Sequence, residues 1–394
     1  MGHVAPINQH FSDEEFRSRQ DRVRKELAGQ GLDGLLLFTI EDMYWLTGLD
    51  TDGFCVFHAM VMSTAGGLTH VSRTADLANV RYSSTCEDVR VWIDGSGESK
   101  AAAIRDTLAA HGLAGGRVGI QLDTMGLTPR LYEELRAELD GRCTLVDASG
   151  LVRTLRLVKS PAELGYVRRA GEIVDACRDV AIAGTRPGAY EGDLMGRIWA
   201  TVFEADGDPP AHRSPIGHGA AAPNTRYTTG RGTIGENDQA TYELGAGYRH
   251  YHAAGMFVVL TGPRVDPRHL RMHAACHEAL HDVRAKLRPG HTVGDLYAAH
   301  RAALARHGYA HAALAACGYT MGATWPPTWM ERPLIHAGNP VVLAAGMTFF
   351  THMVLVDPDT GLTMSLGEQA IITGGAPEPV TTVPHEPIVA GQSR

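Results

Sequence analysis

Two nine-residue segments of this 394-residue chain carry nearly the same sequence at an offset of 102 positions. Residues 186–194 read RPGAYEGDL and residues 288–296 read RPGHTVGDL, so six of the nine positions are identical. In both copies the Pro-Gly pair follows a long helical pattern and ends it, and Asp-Leu begins another helix. A repeat at this spacing indicates an internal duplication. We therefore expect the second part of the chain to consist of two similar halves.

Strand-like apolar runs alternate with helical patterns in the first 150 residues. The runs lie at residues 34–38, 56–62, 89–93 and 118–122, and the helical patterns at residues 12–30, 99–112 and 128–140. This alternation is typical of a layered α/β domain. Ser160, Pro161 and Glu163 then predict a strongly capped helix start. We expect an α/β domain over residues 1–155 and an α+β domain over residues 156–394.

The composition excludes several classes of protein. A net charge of −8 gives no basic footprint for nucleic acid, and no apolar run approaches the roughly 20 residues that span a bilayer. The N-terminus lacks a secretory signal pattern. The six cysteines show no metal-binding or redox spacing, which favours free thiols in a reducing compartment. These features predict a cytoplasmic protein without a nucleic-acid or membrane partner.

Residues 241–259 read as two short strands, and we expect residues 245–247 (GAG) to connect them as a tight hairpin. Glu243 is the one charge among the apolar neighbours of the first strand. On the second strand, His252, Ala254 and Met256 share a face by the period of two. A hairpin that turns Glu243 and His252 toward one cavity has the groups for acid–base chemistry or metal binding.

These and other strings resemble the creatinase/aminopeptidase P family, whose catalytic domain has the pita-bread fold. The helix start at residues 156–163 (RLVKSPAE), the string GYTMG at residues 318–322 and the string WPPTWMER at residues 325–332 carry the resemblance. It implies a creatinase-type N-terminal domain and a pita-bread C-terminal domain with an internal pseudo-twofold repeat. It also implies a homodimer, in which an aromatic turn containing Tyr44 and Trp45 covers the partner's pocket.

The peptidase branch of this family binds two metal ions through two Asp, one His and two Glu residues. Here the resemblance aligns those positions with Glu243, Ala254, Tyr319, His352 and the pair Gly367-Glu368. Glu368 is the counterpart of the last Glu if a bulge at Gly367 restores its face, since a slip of one residue reverses the side chain. A dinuclear centre needs bridging carboxylates. We therefore expect no metal and no other cofactor.

Within the family, the strings are most similar to the ectoine-hydrolase branch, which works without metals. The resemblance implies a metal-independent hydrolase that cleaves a C–N bond of a small cyclic amidine or amide. Two alternatives stay open: a metal-dependent peptidase or lyase with a remodelled centre, and a non-catalytic binding protein. The expected catalytic residues are Glu243, His252, His352 and Glu368; the expected substrate-binding residues are Arg226, Tyr227, Tyr319, Trp325, Trp329, Tyr44 and Trp45.

Overall fold

The computed structural model describes residues 8–390. The chain divides into two compact units, Met1–Arg156 and Leu157–Arg394, and the boundary expected from the sequence lies between residues 155 and 156. No helix within residues 8–390 is both long and apolar enough to cross a membrane. All six cysteines are free thiols.

The first unit contains one six-stranded mixed sheet with the strand order β4-β3-β2-β1-β5-β6. Strand β1 pairs antiparallel with β2 and parallel with β5, and helices α4 and α5 pack their apolar faces on the same core cluster as β1 and β5. The elements are α1 (Asp13–Gly29), β1 (Gly34–Leu37), α2 (Ile40–Thr47), β2 (Ala59–Ser63), β3 (Gly66–Arg73), α3 (Leu77–Ser83), β4 (Asp88–Trp92), α4 (Lys100–Ala110), β5 (Arg117–Ile120), α5 (Pro129–Leu139), β6 (Thr144–Asp147) and α6 (Leu151–Leu155).

The second unit contains a nine-stranded sheet in which β11-β10-β12-β13-β9-β8-β7 lie side by side, with β14 on β13 and β15 on β9. Helix α7 begins as predicted, because Ser160 and Glu163 form a complete capping box and Pro161 takes the first turn. The elements are α7 (Pro161–Gly184), α8 (Glu191–Glu204), β7 (Ile216–His218), β8 (Gln239–Tyr248), β9 (Tyr251–Leu260), α9 (Pro267–Lys286), α10 (Val293–Arg306), β10 (Gly318–Thr320), β11 (Glu331–Leu334), β12 (Thr348–Val356), β13 (Thr363–Ile371), β14 (Glu378–Pro379) and β15 (Ile388–Val389).

The duplicated sequence segments correspond to a duplicated structure. One copy leads from α7 into α8, and the other leads from α9 into α10. Each helix pair is followed by a long antiparallel strand pair, β8 with β9 and β12 with β13. The strand order is symmetric about the contact between β9 and β13, since β7 and β10 flank the two halves in equivalent places. The predicted fold class, an α/β domain followed by a pita-bread domain with a pseudo-twofold repeat, is confirmed.

The hairpin at residues 241–259 is present, but its turn is not at the predicted glycines. Strands β8 and β9 pair without interruption from Gln239↔Leu260 to Tyr248↔Tyr251, and the turn residues are Arg249 and His250, both with positive φ. Gly245 lies inside β8, where a Cβ atom would come within 2.4 Å of the Trp329 ring. Glycine there marks the close approach of an aromatic side chain, which the sequence pattern does not distinguish from a turn.

Candidate active site

One cross-strand row spans the middle of the second sheet. Glu243 of β8 pairs with Met256 of β9, and Met256 pairs with Gly367 of β13. Gly367 in turn pairs with His352 of β12. A strand spacing of ~4.8 Å puts the Cα atoms of Glu243 and His352 at most about 14 Å apart. We call this side of the sheet, defined by Glu243, Met256, Gly367 and His352, the site face.

Glu243 is a buried carboxylate on the site face. Its side chain is 8% exposed, and burial raises its pKa to about 7 even though the positive charge of Arg226 and a hydrogen bond from Tyr319 act in the opposite direction. Buried carboxylates with a pKa near neutrality are suited to proton transfer, because both protonation states are accessible at the operating pH. Glu243 is therefore the candidate proton-transfer group of the site.

Tyr319 forms hydrogen bonds with both Glu243 and Trp329. The indole Nε1 of Trp329 donates a hydrogen bond of 2.8 Å to the Tyr319 hydroxyl, which in turn bonds to Glu243. Burial and the neighbouring Glu243 carboxylate raise the pKa of Tyr319 well above its usual range. Tyr319 is therefore a neutral phenol that donates to Glu243, and Trp329 fixes its position.

His352 of β12 lies next to Tyr319 of β10. Its ring centroid is 5.7 Å from that of Tyr319 and 5.6 Å from that of Phe350. Burial lowers the pKa of His352 to about 4, so the imidazole is neutral at physiological pH. Its Nδ1 atom is buried and makes no hydrogen bond within residues 8–390. A neutral imidazole with an unpaired nitrogen is available to bind a substrate or a water molecule.

A narrow cavity of about 20 Å³, enough for about one water molecule, lies beside Glu243. Thr241, Ser365 and Val354 line it, and so does the loop segment of residues 222–225. The next residue of that loop, the exposed Arg226, carries a positive charge that acts on both Glu243 and Tyr319. The site therefore combines a small cavity that has a carboxylate in its wall with an exposed cationic side chain close enough to act on that carboxylate.

Glu368 does not line this pocket, which argues against its expected catalytic role. The pairing of β12 with β13 runs without a bulge from Thr348↔Ile371 to Val356↔Thr363, which leaves Gly367 on the site face and turns Glu368 to the opposite face. There both carboxylate oxygens of Glu368 accept hydrogen bonds from Arg284 of α9. Glu368 therefore links β13 to helix α9 through its ion pair with Arg284.

His252 lies on the site-face side of β9, but its ring nitrogens are occupied. The Ala211 backbone N–H donates to Nε2 at 2.9 Å, and Nδ1 lies 2.7 Å from the backbone oxygen of His250. This network requires a neutral ring with the proton on Nδ1, and burial lowers the pKa of His252 to about 4. The geometry argues against the expected role as a base and indicates that His252 anchors the loop before β7.

Several expected substrate contacts lie elsewhere. Trp325 stacks on His250 with ring centroids 3.9 Å apart, and Tyr227 hydrogen-bonds Glu191 of α8. The segment with Tyr44 and Trp45 is helix α2, not a turn. Both side chains are buried in the first unit, where Tyr44 contacts His10 and Trp45 lies against Arg19. Side chains buried in this way argue against the expected contact with a partner's pocket.

Three polar residues of the site were missed by the sequence analysis. Thr241 precedes Glu243 by two positions on β8, and Ser365 precedes Gly367 by two on β13, so the period-two rule applied to either strand identifies them. His212 packs edge-on to Trp329 at 5.1 Å between ring centroids. Burial and the charge of Arg226 lower its pKa. It lies in a loop, where no periodicity pointed to it.

The residues present do not fit a dinuclear metal centre. Of the five positions that bind metals in the peptidase branch, Glu243 and His352 retain a carboxylate and an imidazole, while Ala254 and Gly367 offer no ligand atom. Tyr319 is a protonated phenol bound to Glu243 and Trp329. Within the described part of the chain, no three His, Cys, Asp or Glu side chains converge in a group that could hold a metal ion.

Comparison with known proteins agrees with the fold. Residues 165–374 match the model of metallopeptidase family M24, and residues 19–158 match the creatinase/prolidase N-terminal domain. An ectoine hydrolase from Halomonas elongata is 28% identical over 95% of this chain and 97% of its own length. An uncharacterised hydrolase/peptidase from Sinorhizobium fredii is 27% identical over 96% of this chain and 98% of its own length.

Two solved structures share the whole architecture at low identity. A recombinant prolidase from Thermococcus sibiricus superposes with a TM-score of 0.86 at 19% identity, covering 96% of this chain and 100% of the prolidase. A dipeptidase from Mycobacterium ulcerans superposes with a TM-score of 0.83 at 23% identity, covering 96% and 99% of the two chains. By fold and by family match, the chain belongs to metallopeptidase family M24 and carries the creatinase/prolidase N-terminal domain.

Proposed function

We propose that this protein is a metal-independent hydrolase that opens a small cyclic amidine or amide at a C–N bond, with ectoine as the first candidate substrate. One observation carries the proposal. Of the family's metal-binding carboxylates only Glu243 remains, and it is buried with its pKa raised to about 7. A carboxylate in that state serves as a general base without a metal ion. The similarity to a protein named ectoine hydrolase supports the choice of substrate.

In the proposed reaction, ionised Glu243 removes a proton from a water molecule that attacks the amidine carbon. Tyr319 orients the carboxylate through its hydrogen bond, and the neutral imidazole of His352 binds the ring nitrogen across the row from Glu243. The C–N bond breaks, and the leaving nitrogen takes up the proton that Glu243 received. Arg226 pairs with the carboxylate of the substrate.

A dipeptidase activity is the alternative, and the similarity of the fold to prolidases and dipeptidases favours it. Such low identity shows the fold alone, and the same fold hosts different chemistry. Peptide hydrolysis at a dinuclear centre relies on bridging carboxylates, which Ala254 and Gly367 do not supply. The geometry therefore supports the metal-free reaction better.

The direct test is ectoine ring opening by the purified protein, with Glu243→Gln as the variant. Glutamine has the same size and can still accept the Tyr319 hydrogen bond but cannot act as a base, so we expect a loss in kcat of about 10²–10⁴-fold. Xaa-Pro dipeptides, assayed with added Zn²⁺ or Mn²⁺, test the alternative. Full activity of Glu243→Gln on ectoine would refute the role of Glu243, and cleavage of dipeptides alone would refute the substrate class.

The cytoplasmic location expected from the composition and the homodimer expected from the resemblance remain predictions. Light scattering coupled to size-exclusion chromatography tests the dimer, and a monomer at micromolar concentration would contradict it.

A further inference from the structure

Two buried hydroxyl groups in the cavity make no hydrogen bond with any residue that the structure describes. The Ser365 side chain is 1% exposed, and its Oγ makes no hydrogen bond with any described residue. The Oγ1 atom of Thr241 is likewise buried and unpaired within residues 8–390. Both residues line the pocket that contains Glu243. An unpaired buried hydroxyl destabilises a fold, so two of them in one pocket require an explanation.

A third hydroxyl in the pocket shows what the structure does when a hydroxyl is only structural. Thr363, two positions before Ser365 on β13, donates its hydroxyl to the backbone oxygen of Leu355 at 3.0 Å. On the opposite face of the sheet, the Thr351 hydroxyl donates to the backbone oxygen of Glu368. Ser365 and Thr241 differ from these residues because their hydroxyls make no hydrogen bond within residues 8–390.

We propose that Ser365 and Thr241 form a hydroxyl subsite that binds the polar edge of the substrate's C–N ring while the Glu243 carboxylate binds beside it. This inference rests on the proposed function and specifies which ring the pocket accepts. A hydroxyl both donates and accepts, so the pair matches the N–H and C=N groups of a cyclic amidine or the N–H and C=O groups of a lactam.

The same subsite selects against proline-containing peptides. A pyrrolidine ring offers carbon atoms on its edge, so it would occupy the pocket and leave both hydroxyls unpaired. A site built to hydrogen-bond its substrate rejects an analogue that lacks the matching groups much more strongly than an apolar pocket does. The hydroxyl subsite therefore separates this chain's substrate from that of a prolidase with the same fold.

The test compares Ser365→Ala with Thr351→Val as the matched control. Binding of ectoine and of 2-pyrrolidinone is measured by calorimetry, and melting temperature by differential scanning calorimetry. For Ser365→Ala we expect binding at least tenfold weaker with an unchanged or higher melting temperature, because the lost hydroxyl has no partner among the described residues. For Thr351→Val we expect unchanged binding and a lower melting temperature.

Three results would overturn the subsite: binding by Ser365→Ala as tight as that of the wild type, destabilisation of Ser365→Ala as large as that of Thr351→Val, or no binding of either compound by the wild type. Thr241→Val gives the second variant and should show the same signature. If binding weakens as expected but ectoine is never hydrolysed, the subsite stands and the proposed reaction fails. If Ser365→Ala hydrolyses ectoine with the KM of the wild type, the proposed reaction stands and the hydroxyl subsite fails.

Discussion

The hydroxyl of Tyr319 donates a hydrogen bond to the buried carboxylate of Glu243. The two residues lie on strands that are not neighbours, since β10 and β8 are separated by β12, β13 and β9. Trp329 reaches the pair from the segment between β10 and β11 and donates to the same hydroxyl. A tyrosine where the peptidase branch has a metal-binding histidine therefore holds the remaining carboxylate in place.

Tyr319→Phe tests this positioning role. The variant removes a hydrogen bond that lowers the pKa of Glu243, so we expect the pKa seen in the rate profile to rise and kcat to fall about 10–100-fold. It also leaves the buried Trp329 indole N–H unpaired, which costs about 1–3 kcal/mol of unfolding free energy. Trp329→Phe keeps the bond to Glu243 and is the control. A Tyr319→Phe profile with unchanged apparent pKa would contradict the assignment.

The rate should depend on pH through Glu243. If the ionised carboxylate is the base, kcat/KM increases with pH and levels off above an apparent pKa of about 7. An ordinary glutamate would give a limb near pH 4.5, and the burial of Glu243 accounts for the difference. Initial rates between about pH 5 and pH 9 measure this limb, and a profile that is flat across that range would exclude Glu243 as the base.

The stability of the fold should change with pH in the direction opposite to the rate, decreasing as Glu243 ionises. The folded pKa of Glu243 is about 7 and its ordinary value 4.5, so between these pH values the folded state binds more protons than the unfolded state and stability falls as pH rises. At pH 8 the ionised group costs at most about 3 kcal/mol. Glu243→Gln removes this cost, so chemical denaturation should show a more stable variant at pH 8 and little difference at about pH 4.5. If Glu243→Gln is less stable than the wild type at pH 8, the ionised carboxylate does not destabilise the folded state.

Glu368→Gln separates the two buried glutamates of the sheet. Glu368 binds Arg284 on the helix-covered face, so its neutralisation weakens a buried ion pair and leaves ectoine turnover within twofold of the wild type. The expected loss is about 1–3 kcal/mol of unfolding free energy, reduced from the value for a fully buried pair because Arg284 is 39% exposed. A loss of activity comparable to that of Glu243→Gln would return Glu368 to the active site.

The sequence predicted the fold because its strongest signals were local and repeated. The Ser160 capping box and the duplicated Arg-Pro-Gly segments depend on neighbouring residues, and the folded chain keeps both. Glu243, Tyr319 and His352 were located by matching short family motifs, because the neighbouring residues of each motif fix which position aligns with which. Tyr319 lies beside both Glu243 and His352, and the catalytic roles of these residues remain predictions.

The errors have a common physical origin in facts that sequence patterns do not contain. The face of Glu368 depended on whether β13 carries a bulge, and the pairing with β12 decides that at a distance in the chain. The glycines of β8 were interpreted as a turn. Gly245 instead makes room for the ring of Trp329, which is more than 80 positions away in the chain and therefore does not enter a local sequence pattern. His252 was expected to be free, and only the tertiary contact with Ala211 occupies its second nitrogen.

The most direct test of metal-independent catalysis by Glu243 is ectoine ring opening by protein whose metal content has been measured by elemental analysis, before and after dialysis against a chelator. We predict ring opening by the wild type with far less than one metal ion per chain, an unchanged rate after chelation, and no turnover by Glu243→Gln. Activity that disappears with the chelator and returns with Zn²⁺ or Mn²⁺ would contradict the proposed mechanism.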